Sequence, residues 1–221
     1  MRMNAAANNP GEIMPTLRQI MSVAAVVISG CSTTYSDTQY TTEQRSRIVL
    51  NAVTRQPVPG VIIAFKWVRT DADIEATRHY CVHAEIAMSD RDGRYQVPAW
   101  RGLGPMIVAQ YKAGMTRVWQ TPRDDHGVDL IKPFDGASKQ RFEELERLVN
   151  SLNCPDEDIH EMQSLFVAIA DEAQSMVHTD ADARWAESFQ ITADAAKYGS
   201  EVAKMRHAAR LNELGKQGGK Q

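Results

Sequence analysis

Residues 79–100 constrain the fold more strongly than any other stretch, because they have the pattern of two strands joined by a tight turn. In the first strand polar and apolar residues alternate, and neighbouring side chains on a strand point to opposite faces. The apolar face comprises Tyr80, Val82, Ala84, Ile86 and Met88. Asp92 and Gly93 supply the turn, since glycine adopts a positive φ without a Cβ clash. A half-buried antiparallel sheet is therefore expected here.

Further short strands are predicted on both sides of this pair. Residues 48–53, 61–68 and 106–111 are rich in β-branched and apolar side chains, and residues 116–120 and 127–132 have a weaker strand pattern. Within residues 61–68, the side chains expected to face inward are Val61, Ile63, Phe65 and Trp67. About six or seven short strands separated by turns are typical of an immunoglobulin-like antiparallel β-sandwich.

The apolar period changes to that of an amphipathic helix from about residue 138. A first helix carries Phe142, Leu145, Leu148, Val149 and Leu152 on one face, and a second follows a break at residues 153–156. A third is expected after an N-cap at Thr179 and Asp180, with an end or a kink at Gly199. The predicted chain is thus mainly β with an α appendage at residues 138–215, and a polar disordered tail at residues 216–221.

The N-terminus has the parts of a secretory signal peptide. Arg18 precedes a short apolar run at residues 20–28, and the small residues Ser29 and Gly30 lead to Cys31. The sequence Ile-Ser-Gly-Cys closely resembles a bacterial lipobox. This resemblance implies that residues 1–31 are a lipoprotein signal peptide and that Cys31 is diacylated. An N-terminal core helix with an incidental cysteine is the alternative.

Residues 32–45 are polar, rich in Thr and Ser, and without a period. They are expected to form a flexible tether between the anchor and a folded domain at residues 46–133. Ser32 follows Cys31 directly and resembles the outer-membrane retention pattern, since the inner-membrane pattern favours Asp at that position. The expected location is the cell envelope and, in a host with two membranes, the outer membrane, facing the periplasm.

Two cysteines, Cys81 and Cys154, remain if Cys31 carries lipid. An even number of thiols in an oxidising compartment permits a disulfide between them. Two buried free thiols are the alternative.

Three short motifs resemble those of a known family. Residues 50–54 with 57–61 resemble the opening of a carboxypeptidase regulatory-like domain, and Asp-Arg-Asp-Gly-Arg-Tyr at residues 90–95 resembles its second signature. Residues 111–115 resemble a later loop of that family, although Met115 stands where an aromatic residue is usual. Asn51 and Arg55 depart from the more common Asp and Gly. The resemblance implies a transthyretin-like sandwich at residues 46–133 that serves as a non-catalytic accessory module.

The polar face of the first strand is the sharpest site candidate. Its members, His79, Cys81, His83 and Glu85, are all of types that bind Zn²⁺. A single strand rarely supplies four tetrahedral ligands, so two of them with a residue from elsewhere would be needed. A zinc site is therefore the alternative to a protein without cofactor, and Cys81 cannot serve both a metal and a disulfide.

Several functional classes lack their sequence signatures. The net charge of -3 argues against a general nucleic-acid binder. His160 and Glu161 begin a zinc-protease motif, but Ser164 stands where the second His is required, and no Gly-x-Ser-x-Gly occurs. We therefore expect a non-enzymatic protein that contacts the membrane through its N-terminal lipid and binds an envelope protein or polymer. The alternative function is envelope metal binding.

Overall fold

The computed structural model describes residues 39–72, 77–118, 127–154 and 160–218, all within the unit Tyr35–Gln221. Strands fill the first part of this range and helices the last, which confirms a β-rich chain with a helical C-terminal part. The described strands are β1 (Gln39–Thr42), β2 (Arg45–Asn51), β3 (Ile62–Ala72), β4 (Thr77–Met88), β5 (Arg94–Val97), β6 (Trp100–Leu103), β7 (Met106–Tyr111), β8 (Met115–Val118) and β9 (Val128–Pro133). The helices are α1 (Ser138–Leu152), α2 (Gln163–Ser175), α3 (Asp180–Tyr198) and α4 (Ser200–Gly218), and a 3₁₀ turn at His160–Met162 precedes α2.

The described strands form three sheets. Their orders are β5-β2-β9-β8, β4-β3-β7 and β1-β6. Pairing is antiparallel except between β2 and β9, where Ile48 lies opposite Val128 in a parallel register. The expectation of a wholly antiparallel fold is therefore wrong for this pair. Parallel pairing requires a long connection, and here most of the β-rich part separates the two strands.

The first core lies between the four-stranded and the three-stranded sheet. Side chains of both sheets contribute to one buried cluster, which contains Val49, Val58, Val61, Ile63, Phe65, Trp67, Tyr95, Val97 and Ile131. The four side chains predicted to face inward from residues 61–68 all belong to it. The period-two pattern of that strand therefore predicted this face correctly.

The second core lies on the other face of the three-stranded sheet. Ile62, Ala64, Ala84, Ala109 and Tyr111 pack there against apolar side chains of α1, α2 and α3. As a result, every residue from position 61 to 68 is buried, and β3 has no solvent-facing side along this length. Periodicity alone did not predict this second burial, because it depends on helices that come much later in the chain.

A segment expected to be irregular forms a strand. β1 lies within the segment expected to be a tether, and it pairs with β6, most of which lies between two segments predicted to be strands. Each strand supplies hydrogen-bond partners for the backbone N–H and C=O groups of the other. Neither segment's sequence indicates this pairing by itself. At the other end of the chain, α4 continues to Gly218, into the segment predicted to be disordered.

Local signals set the turns and caps as predicted. At the β4–β5 turn, Asp90 Oδ1 accepts hydrogen bonds from the amides of Asp92 and Arg94, at 2.9 and 2.8 Å. Gly93 has a φ of +71°, and a Cβ there would meet the Val49 carbonyl oxygen at 2.6 Å. Glycine is required at this position because the β2 backbone passes so close. Thr179 caps α3 by accepting a hydrogen bond from the Asp182 amide at 3.2 Å, as predicted.

Candidate functional site

A disulfide joins Cys81 on β4 to Cys154, which follows α1. The Cα atoms lie 5.4 Å apart, and the bridge links positions separated by 73 residues. The predicted pairing of these cysteines is thus confirmed. The bridge attaches the first helix to the three-stranded sheet.

The four residues proposed as a metal-binding strand face do not share one face. The register of β4 on β3 shifts between Trp67 and Val68, so that Trp67 lies opposite His83, and Val68 lies opposite Cys81. Because neighbouring residues on β3 point to opposite faces, Cys81 and His83 do so too. The bulged residue, Val82, is exposed.

The bulge also divides the apolar face predicted for this strand. Ala84 is buried, whereas Tyr80, Val82 and Met88 are exposed. The prediction of strictly alternating faces required an unbroken register of β4 on β3. The extra residue at position 82 breaks that register. The prediction of one continuous apolar face on β4 is therefore wrong.

Two of the proposed ligands, Cys81 and His83, are engaged in other contacts. Cys81 is bridged, and the His83 ring stacks on Trp100 with centroids 4.5 Å apart and planes inclined by 5°. Glu85 lies opposite Phe65, and for His79 only the backbone is described. Across the described ranges, no group of three or more His, Cys, Asp or Glu side chains is arranged to hold a metal ion. The zinc alternative therefore loses Cys81 as a ligand.

Lys66 caps the end of α1. Its side chain is buried on β3, and its Nζ donates to the carbonyl oxygens of Asn153 at 2.7 Å and Ser151 at 3.2 Å. Burial lowers the pKa of Lys66. The ammonium group of Lys66 lies at the negative end of the α1 dipole. Its acceptor Asn153 directly precedes the bridged Cys154, so the hydrogen bond and the disulfide are two independent links that hold the end of α1 on the sheet.

A buried ion pair connects α1, α2 and the β7–β8 loop. Arg141 of α1 makes two hydrogen bonds to Glu172 of α2, from Nε to Oε1 at 2.9 Å and from Nη2 to Oε2 at 3.0 Å. The same Glu172 Oε1 accepts the amide of Gly114 at 2.9 Å, and Arg141 Nη1 lies 3.1 Å from Glu144 Oε2. The β7–β8 loop is thus held in place by α1 and α2.

A second buried charged group lies within the β-rich part. Arg47 of β2 binds Asp129 of β9 through Nε at 2.9 Å and Nη2 at 3.1 Å. Tyr95 of β5 donates its hydroxyl to the same carboxylate at 2.6 Å. Burial and the Asp129 charge raise the pKa of Tyr95. The group satisfies its own charges and joins three strands, which is a structural role.

A third charged group, which sequence reasoning missed, joins α3 and α4. Glu187 Oε1 lies 2.6 Å from His207 Nδ1 and accepts from Arg210 Nε at 3.0 Å. Asp194 accepts from Arg210 Nη1 at 2.8 Å and lies 3.7 Å from Arg206 Nη1. The sequence signal was the spacing of three or four positions that places Arg206, His207 and Arg210 on one face of α4. The pairing of α4 with α3 was not predictable from it.

The predicted lipid site at Cys31, with the predicted signal peptide and most of the tether, lies outside the described residues. None of the helices that are described has the length and apolar character needed to cross a membrane. Comparison with protein-family models, with curated proteins and with solved structures found no significant match for this chain.

Proposed function

We propose that this chain is a non-enzymatic, lipid-anchored protein of the cell envelope, whose β-rich part acts as a binding or structural module. The observation that carries the proposal is the disulfide between Cys81 and Cys154. Disulfides of this kind form and persist in oxidising compartments, outside the reducing cytosol. An exported chain would enter such a compartment, and the N-terminal sequence has the pattern of an export signal.

In this proposal Cys31 carries the lipid and anchors the protein in the membrane. The lipobox-like sequence before it supports the assignment, and Ser32 supports retention at the outer membrane, facing the periplasm. The partner is another envelope protein or a surface polymer, and no cofactor is required. We do not propose zinc binding as a second function, because the described residues offer no observation in its favour.

The β-rich part is proposed to be a transthyretin-like sandwich of the carboxypeptidase regulatory-like kind. Its support is the apolar cluster to which both larger sheets contribute, together with the motif resemblance at residues 90–95. A further point of support is Arg55, which stands where the family more often has glycine. Arg55 has a φ of +59°, a conformation that glycine adopts more readily.

The anchor is tested by metabolic labelling with radioactive palmitate in a bacterial host. The wild-type protein should incorporate label and sediment with membranes, whereas Cys31→Ser should do neither, because the acylated thiol is gone. Ser29→Ala is the matched control, since it keeps a small residue before the cysteine and should leave labelling unchanged. Label in Cys31→Ser, or an unlabelled wild-type protein, would contradict the proposed anchor.

The location is tested with Ser32→Asp in a host that has two membranes. The wild-type protein should fractionate with the outer membrane, and the variant should shift to the inner membrane while remaining lipidated. Ser32→Thr keeps a hydroxyl at this position and should fractionate as the wild type does. Identical fractionation of Ser32→Asp and the wild type would show that Ser32 does not direct sorting.

A further inference from the structure

A cavity of about 470 Å³ opens between α2, α3 and α4. This volume falls in the range of about 300–1,000 Å³ that is typical of small-molecule sites. Among the described residues that line it, Val167, Ala193 and Ala209 supply apolar surface, and Lys197, Arg206 and Arg210 supply three positive charges against one carboxylate, that of Asp194. We call this space the α3–α4 cavity. Its lining combines an apolar wall with an excess of positive charge.

The two described carboxylates at or beside the cavity, those of Asp194 and Glu187, are already engaged. Asp194 is buried and receives hydrogen bonds from Arg210 Nη1 at 2.8 Å and from Gln190 Nε2 at 3.2 Å. Glu187 is held by Arg210 and His207. Arg206 reaches Asp194 only at 3.7 Å, and 47% of its side chain is exposed. Asp194 therefore leaves much of the Arg206 charge uncompensated.

Lys197 and Arg206 converge on Tyr198 from two helices. The Lys197 Nζ lies 4.9 Å from the centroid of the Tyr198 ring, and the Arg206 Cζ lies 4.2 Å from it. Within the described part of the chain, no carboxylate forms an ion pair with Lys197. The same two cations lower the pKa of the Tyr198 phenol. Two like charges held together at one rim without a shared carboxylate favour an anion between them.

We propose that the α3–α4 cavity binds a small organic oxyanion, a carboxylate or phosphate on an apolar body. Lys197 and Arg206 contact the oxyanion directly, and Arg210 adds charge while it holds the two acidic residues in place. The apolar body packs against Val167 and Ala193. Arginine and lysine are suited to this role because charge-assisted hydrogen bonds to carboxylate and phosphate are the stronger ones. The residues that line this site belong to α2, α3 and α4, and binding there does not require the lipid anchor.

The test is titration of the purified full-length chain in detergent with phenyl phosphate, benzoate and inorganic phosphate. We expect saturable binding, with amide chemical-shift changes at Lys197, Tyr198 and Arg206. The double variant Lys197→Gln/Arg206→Gln should bind about tenfold more weakly or worse, the loss expected for one good charged contact. Both side chains are exposed, so the variant should remain folded.

Two further variants distinguish binding in the α3–α4 cavity from a general effect of the protein's charge. Lys139→Gln/Arg184→Gln removes the same charge from exposed positions on α1 and α3 and should bind as the wild type does. Ala209→Phe keeps every charge but fills the cavity from an exposed position on α4, and it should abolish binding of benzoate and phenyl phosphate. Equal losses in both double variants, or undiminished binding by Ala209→Phe, would overturn the proposal.

The oxyanion could belong to a free small molecule or to a lipid headgroup, and a final arm distinguishes these sources. Short-chain phosphatidylglycerol and phosphatidylcholine are compared below their micelle-forming concentrations. Tighter binding of phosphatidylglycerol than of phenyl phosphate, lost in Lys197→Gln/Arg206→Gln, would identify a headgroup. Tighter binding of phenyl phosphate or benzoate would identify a free anion. Failure of every probe to bind saturably would refute the site.

Discussion

Lys66 of β3 donates a hydrogen bond of 2.7 Å from Nζ to the main-chain oxygen of Asn153, just beyond the last residue of α1. A second bond reaches Ser151 at 3.2 Å. A buried cation on the central strand therefore satisfies the carbonyl groups that a helix end leaves without partners. The contact joins the strand at the middle of the sheet to the first helix.

Replacing Lys66 by Met should lower the free energy of unfolding by about 1–2 kcal/mol, because two carbonyl acceptors at the end of α1 lose their donor. Removal of a buried charge offsets part of the loss. Urea denaturation measures the difference. Lys204→Met, at an exposed lysine of α4, should change stability by less than about 0.5 kcal/mol. Equal effects of the two substitutions would show that the cap contributes nothing.

Opening the Cys81–Cys154 disulfide should destabilise the fold by about 4 kcal/mol, from the unfolded-chain entropy of a loop of this length. The variant Cys81→Ala/Cys154→Ala and the reduced wild-type protein should unfold at similar urea concentrations. The variant should not respond to reductant, whereas the wild-type protein should. A wild-type midpoint that reductant leaves unchanged would contradict this expectation.

Glu172→Gln should lower the free energy of unfolding by about 3–5 kcal/mol, because it leaves the buried guanidinium of Arg141 without its main carboxylate. The amide of Gly114 keeps an acceptor in the glutamine oxygen. Lys139→Ala is the comparison on the same helix, since its ion pair with Glu143 is exposed and 3.9 Å long. That substitution should cost less than about 0.5 kcal/mol. A cost for Glu172→Gln as small as this would contradict the structural role of the pair.

The raised pKa of Tyr95 predicts that the protein loses stability at alkaline pH. Burial and Asp129 raise its pKa above the ordinary value of 10.0, so the folded state holds the phenolic proton more tightly than the unfolded chain. The stabilisation that results from the raised pKa is fully present below pH 10. It is lost as the pH rises above that value toward the pKa of Tyr95 in the folded state.

The variant Tyr95→Phe has no phenolic proton to lose. Between about pH 9 and 11 its free energy of unfolding should fall less steeply than that of the wild-type protein. At pH 7 it should be lower by about 1 kcal/mol, because the hydrogen bond to Asp129 is lost. Urea denaturation at several pH values measures both effects, and parallel curves would contradict the first.

Arg55→Gly should stabilise the protein by up to about 1 kcal/mol. A side chain at a φ of +59° is strained, and glycine relieves that strain although it gives the unfolded chain more freedom. Val53→Gly, two residues earlier in the same exposed turn, should destabilise by about 0.5–1 kcal/mol because it adds freedom without relieving strain. Thermal unfolding of both variants distinguishes the outcomes. Loss of stability in Arg55→Gly would mean that the arginine side chain makes a stabilising contact.

Features with a local cause were predictable from the sequence. Gly93 specifies its turn, Thr179 specifies the start of α3, and the even number of thiols left after Cys31 allowed Cys81 to be paired with Cys154. The turn was attributed to Asp92 and Gly93, whereas the side chain that accepts the backbone hydrogen bonds is that of Asp90. Each of these features depends on neighbouring residues in the sequence or on the number of cysteines. The register of β4 is different, because a single extra residue at Val82 reverses the face of everything beyond it, and no residue type there indicates a bulge.

Features that depend on distant partners were not predictable. The parallel pairing of β2 with β9 joins segments far apart in the chain. Arg141 and Glu172 each look like an exposed charge on an amphipathic helix until the helices are packed together. The α3–α4 cavity likewise exists only through the angle between its helices, which the individual amphipathic patterns do not specify.

The burial of β3 on both faces has a consequence for how this protein can be divided. The strands end at Pro133 and the helices begin at Ser138, which suggests a truncation point between two modules. A fragment that ends before α1 would expose Ile62 and Ala64 to solvent, because the helices that cover them would be missing. The Lys66 ammonium group would then lie in solvent beside this exposed apolar surface. The fragment would therefore be prone to self-association. The β-rich part and the helices should therefore be expressed as one unit.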